Sequence, residues 1–197
     1  MSILLPTNMV NGLDTDLARL TPLETDVAAL KPGALQTFSG DLVYDFSSLI
    51  QTDICDFTIN VYGLSGTVND ANVWMQLSSD GGTSWISTGY YASSHYSLTS
   101  ATSSYASDEA NLTQWRVSYI SNAGPTKGPT GYWRIRRVGA KTTIEGSSIE
   151  YSTAGQLMVW DTRGFLDGHD TNALRLYWSS GSTDGGRYSI QDNLRQP

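Results

Sequence analysis

An all-β protein, an antiparallel β-sandwich of jelly-roll type behind a short N-terminal helical segment, is what the sequence predicts, on three observations. Charged residues make up only 16% of the chain while aromatics reach 11%, a balance that suits strand faces and turns better than helix surfaces. From about residue 37 to the end, apolar residues recur at every second position, the period of a half-buried strand. Helical spacing is confined to the segment before that point, residues 1–36.

That first segment carries its own start signal. Thr21-Pro22-Leu23-Glu24 reads as a capping box, in which Thr21 can accept from the backbone N–H at Glu24, Glu24 can reach back to Thr21, and the missing N–H of Pro22 would cost nothing in the first turn. Leu13, Leu20 and Val27 recur at heptad spacing, with Leu23 and Leu30 at the complementary seam positions. A short apolar stripe of this kind needs a partner surface. It is expected either to cover one end of the domain's own core or to form a small helical bundle between subunits. Lys31-Pro32-Gly33 then reads as a linker.

In the body, Cys55, Phe57, Ile59 and Val61 alternate with Asp56, Thr58, Asn60 and Tyr62, a strand with one apolar face. Val73, Met75 and Leu77 alternate with Trp74, Gln76 and Ser78 in the same way. The Asp80-Gly81-Gly82 segment is then expected to form a tight hairpin leading into a partner strand over 85–91. Further strands are expected over 41–46, 113–121, 132–138, 142–151, 156–161, 173–179 and 186–191, with 93–107 and 122–131 as loops. About eight to ten strands joined by polar turns make a sandwich. Cys55, the single cysteine, is expected to be a core residue, since neither histidine falls in phase with it.

With 12 basic and 19 acidic residues the net charge is −7, which opposes direct docking on nucleic acid or anionic membranes. The opening MSILLPTNMV has no basic region and its apolar run is cut at Pro6, so neither a signal peptide nor an anchor is expected there, and folding in a cytoplasm is.

The sharpest local motif runs from Ser78 to Trp85, SSDGGTSW, and it resembles the Asp-box of sialidases and other β-propeller proteins. In those families the box is a folding device away from the catalytic centre, so the resemblance implies a structural role for Asp80, Gly81, Gly82 and Trp85 and no sialidase activity. Ser182 to Tyr188 is a looser echo, expected as a second hairpin turn.

On a wider scale, DFTINVYGLSG, then NVWMQLSSDGGTSW, a Ser- and Tyr-rich stretch, and late ALRLYWSSGSTDGGRYSI resemble the small β-sandwich proteins of tailed-phage virions, found as tail-associated, fibre or head-surface components. The resemblance implies a particle-surface role and symmetric, commonly trimeric, subunits. Leu13, Leu20, Leu23, Val27 and Leu30 would then serve oligomerisation or docking on other virion proteins.

No catalytic constellation stands out. Asp108, Glu109, Glu145, Glu150, Asp161 and Asp167 are candidate carboxylates for glycoside chemistry, but spacing selects no pair among them. Asp167-Gly168-His169-Asp170 reads as a polar turn. No cofactor and no metal site is expected. Carbohydrate binding is the main rival to a purely structural role, because exposed aromatic rings stack on sugars. The candidates are Trp74, Tyr90, Tyr91, Tyr96 and Tyr105, whereas Trp115, Trp133, Trp160 and Trp178 are expected in the core. The sequence thus points to a non-enzymatic virion surface protein, with recognition of a host surface glycan as the alternative.

Overall fold

A computed structural model describes residues 34–98, 104–120, 128–151 and 156–195. Leu13, Leu20, Leu23, Val27 and Leu30, with the rest of the helical segment, lie outside the described residues. The chain divides into two units, Met1–Ala34 and Leu35–Pro197, and every strand described belongs to the second.

The described residues are all-β and form two antiparallel sheets. The wider sheet has eight strands in the order β1 (Gln36–Phe38), β12 (Thr183–Asp192), β3 (Ile54–Gly66), β8 (Thr130–Val138), β9 (Lys141–Tyr151), β10 (Leu157–Leu166), β5 (Tyr90–Leu98) and β6 (Ser104–Leu112). The narrower sheet has four, in the order β2 (Leu42–Asp45), β11 (Ala173–Trp178), β4 (Ala71–Ser78) and β7 (Trp115–Ile120). Along the chain, β1, β2, β3, β4, β7, β8, β11 and β12 build a four-on-four frame in which most connections cross between sheets. The hairpins β5–β6 and β9–β10 are additions to that frame. Both join the same sheet beside β8 and widen it on one side only.

The core follows the expected alternation. Cys55, Phe57, Ile59 and Val61 of β3 are at most 1% exposed, as are Val73, Met75 and Leu77 of β4. Trp133 and Ile135 lie directly opposite Ile59 and Phe57 in register. Leu174 and Leu176 lie opposite Leu77 and Met75. All four tryptophans expected inside, Trp115, Trp133, Trp160 and Trp178, are at most 5% exposed. Burial pushes the Cys55 thiol pKa up, so it stays a protonated packing group.

Three expectations are corrected. The Asp80 turn does not fold back into a hairpin over 85–91; it carries the chain from β4 in the narrow sheet to β5 in the wide one. Its local chemistry is nevertheless the expected one. The Asp80 carboxylate accepts from the Ser78 hydroxyl at 2.6 Å, the Ser84 N–H at 2.8 Å and the Ser84 hydroxyl at 2.6 Å. Those bonds hold its pKa down at about 2. Gly81 and Gly82 take φ of +71° and +91°, and the Trp85 ring lies 3.5 Å from where a Cβ on Gly82 would stand. A further bond, from the Gly81 N–H to the Asn172 side chain at 2.9 Å, ties the turn to the approach to β11, and a single backbone bond from the Ile86 N–H to the Leu77 carbonyl at 2.9 Å closes the turn on the end of β4 before the chain leaves for β5.

Second, the described part of 93–107 is not loop: 93–98 belongs to β5 and 104–107 to β6, paired strands in which small Ser and Ala side chains conceal the alternation. Third, the stretch around Gly185 is not a turn but the start of β12. There Gly185, at φ +135°, makes a bulge against β3, and a Cβ would stand 2.1 Å from the Phe38 carbonyl oxygen, so glycine lets β1 close on β12.

Candidate functional site

The widened sheet presents its outer face as a polar surface, and register explains how. Thr58, Arg134, Glu145, Arg163 and Ser93 form one row across β3, β8, β9, β10 and β5, each directly opposite the next. Asn60, Tyr132, Ser147, Asp161 and His95 form the next row in the same order. Because side chains alternate across a strand, both rows share a face, the one opposite buried Ile59, Trp133 and Trp160. Together they line a groove of about 730 Å³ with Thr58, Ser93, His95, Tyr132, Arg134, Glu145, Asp161 and Arg163 in its walls.

One end of the groove is held by an ion cluster around the buried Asp56. Arg134 donates to both carboxylate oxygens of Asp56 at 2.8 and 2.7 Å, Arg136 donates at 3.0 Å, and the Asn193 amide donates at 2.8 Å. Burial alone would raise the Asp56 pKa, but the bonds from Arg134, Asn193 and Arg136 outweigh it and bring it to about 2. Arg134 also lies 3.6 Å from Glu145. Two-pronged guanidinium contacts fix orientation as well as charge, so the floor beside Tyr132 is preorganised.

The depressed Asp56 pKa makes stability pH-dependent. Its contribution is fully present above about pH 4, the unfolded value, and is lost as pH falls toward about 2. The wild type is therefore expected to lose about 2 kcal/mol through this group on acidification across that window, and an Asp56→Asn variant to lose correspondingly less. Urea unfolding at pH 5, 4, 3 and 2 reads the difference; parallel pH profiles for the two proteins would refute it.

Beside the groove stands an aromatic platform. Phe165 on β10 faces Tyr91 on β5, with ring centroids 4.6 Å apart and planes within 7°, and the Lys141 ammonium sits 4.7 Å from the centre of the Phe165 ring. These rings border a second hollow of about 540 Å³ that shares Ser93 and Arg163 with the first. The platform is positioned from below: the buried Trp115 indole N–H donates to the Tyr91 carbonyl at 3.1 Å.

Of the four singled-out aromatic residues whose side chains are described, Trp74, Tyr90, Tyr91 and Tyr96, Tyr91 alone is placed at this face. Tyr90 is fully buried; it packs edge-on against Trp115 at 5.1 Å, and its hydroxyl accepts from the Leu77 N–H at 2.8 Å. It cannot touch a ligand, and the reason is the shifted start of β5, which reverses the expected alternation. Tyr96 is half-buried and stacks on Trp160 at 5.1 Å, within the sandwich-facing row. Trp74 belongs to the narrow sheet, opposite Tyr177. Tyr105 pairs with Tyr96 in register, and its side chain lies outside the described residues. Trp85 takes part in a separate stack, with the Arg175 guanidinium 4.7 Å from its ring and 4.4 Å from that of Tyr177.

Sequence reasoning missed Tyr132, His95, Arg134, Arg163 and Phe165 as a set. Glu145 and Asp161 were visible as separate carboxylates, and register places them diagonally on neighbouring strands. Among the described residues, no group of three or more His, Cys, Asp or Glu is arranged to hold a metal ion. Compared with models of protein families, with curated proteins and with solved structures, the chain matches none.

Proposed function

We propose that this chain is a non-enzymatic surface component of a phage virion that recognises carbohydrate through the outer face of its eight-stranded sheet. The observation that carries the proposal is the groove itself: donors, acceptors and an exposed tyrosine ring, arrayed in two register-locked rows on a rigid sheet. Sugars are bound by this combination of hydroxyl-directed hydrogen bonds and ring stacking. Arg163 donates, Glu145 and Asp161 accept, and Tyr132, 51% exposed, offers a ring. Glu145 is engaged by Arg134 and both carboxylates stand in an open groove, an arrangement that suits holding hydroxyls more than cleaving a bond.

The frame strands support a jelly-roll reading. Sheets ordered β1-β12-β3-β8 and β2-β11-β4-β7 are what two intertwined Greek keys produce, and the virion assignment rests on that architecture together with the sequence resemblance. A second reading, a trimeric particle-decorating protein docked through residues 1–36, is favoured by the stripe Leu13, Leu20, Leu23, Val27 and Leu30.

Binding of labelled full-length protein to immobilised host-surface glycans and to purified virions separates the two. Recognition of glycans is expected, with a loss of at least about tenfold in affinity, roughly 1.4 kcal/mol, for Tyr132→Ala or Asp161→Asn. Binding to virions with no glycan signal would support the decorating role instead.

A further inference from the structure

We infer that the ligand is a neutral carbohydrate chain, lying across the strands through two subsites, the polar groove around Tyr132 and the Tyr91–Phe165 platform, with Arg163 at the join. The inference rests on the carbohydrate reading above and adds its class, its length and its path.

Length comes from geometry. The two hollows, about 730 and 540 Å³, share Ser93 and Arg163, so they form one track. Its walls reach from Thr58 on β3 to Asp108 on β6. Those strands are five inter-strand steps apart in the sheet order, which at about 4.8 Å each is roughly 24 Å. That is far more than one sugar ring occupies, and the track runs along the outer face of the sheet.

Class comes from charge. Arg134 is already committed to Asp56. Arg163, which forms no ion pair among the described residues, and Lys141 then face four carboxylates, Asp108, Glu109, Glu145 and Asp161. An acidic sugar would meet more repulsion than attraction on a protein whose net charge is already −7. Carboxylates instead accept from neutral hydroxyls while Arg163 donates to ring or hydroxyl oxygens.

The second subsite is specified by its rings. Phe165 is covered on one side by Lys141 and on the other by Tyr91, and Tyr91 remains 36% exposed. Tyr91 is therefore the ring left open to the apolar face of a pyranose, beyond the reach of a ligand confined to the Tyr132 groove.

The test uses full-length protein on an array of neutral, acidic and amino glycans from one to eight sugars long, followed by titration of the best binder and its shorter homologues. Neutral glycans are expected to give the strongest signals, with affinity rising at least tenfold from disaccharide to hexasaccharide. Tyr91→Ala and Arg163→Gln should each lower hexasaccharide affinity far more than disaccharide affinity. Arg163 is exposed, so its variant answers even if Tyr91→Ala misfolds. Acidic glycans binding best, affinity already saturated at a mono- or disaccharide, or equal losses at every length would each overturn the inference while leaving carbohydrate binding intact. An array on which nothing binds removes the carbohydrate reading itself, and this inference with it.

Discussion

Replacing Trp115 with alanine is expected to destabilise the fold by about 3–5 kcal/mol, the range for emptying a fully buried indole site. Trp115 is 0% exposed and sits edge-on to Tyr90 with centroids 5.1 Å apart, so truncation leaves a cavity lined by rings that cannot collapse into it. The same change removes the indole N–H that donates to the Tyr91 carbonyl. Urea unfolding followed by far-UV circular dichroism measures the loss. Trp115→Phe, which keeps most of the volume and removes only the N–H donor, should cost less, on the order of 1–3 kcal/mol. If alanine costs under about 1 kcal/mol, the indole is not the keystone that the contacts describe. Both variants should also weaken ligand binding at the Tyr91 platform, because this bond holds the Tyr91 backbone from beneath in addition to its pairing with Phe165.

The second large effect is expected at Gly146. A Cβ there would stand 2.2 Å from the Tyr132 carbonyl oxygen and 2.7 Å from the Trp133 Cα. These are backbone atoms of the paired strand β8 and cannot yield without opening the β8–β9 ladder. Gly146→Val should therefore destabilise by about 3 kcal/mol or more, the upper range for overpacking, lowering Tm by roughly 6–12 °C for a chain of this size. The control is Gly139→Ala in the β8–β9 turn, where nothing lies within 4 Å and only the φ of +57° resists a side chain. It should cost about 1 kcal/mol. Equal Tm values for the two variants, read by differential scanning calorimetry, would mean the sheet breathes enough to admit the valine.

Gly146 and Trp115 also illustrate what was legible in the sequence. Where a strand is buried by large residues on one face, as in the run from Cys55 to Val61, alternation announced both the strand and its inward side. In β5 the sandwich-facing positions include Ala92 and Ser94, too small to stand out from the Ser-rich background, so two paired strands looked like a loop. The Asp80 box was readable because its bonds are local, between Ser78, Asp80 and Ser84. Where it sends the chain was not, because β5 finds its place by pairing with β10, remote in sequence. The site was hidden for the same reason. Glu145 and Asp161 each looked like ordinary solvated charge, and only pairing between strands places them beside Tyr132 and Arg163. Tyr90 was misread through a slip of one position, which is enough to send a side chain to the opposite face.

The place of β12 bears on how the molecule can be made. It lies between β1 and β3, so a ribosome must have produced residues up to Asp192 before the frame can close. Until then β3 has an unpaired margin along a long, apolar-faced strand, the kind of surface that recruits stray chains. Pairings so distant in sequence also form slowly. Synthesis arrested before Thr183 should leave a nascent chain that needs chaperone cover, whereas the β8–β9 and β9–β10 hairpins, built from neighbours in sequence, can zip up while translation continues.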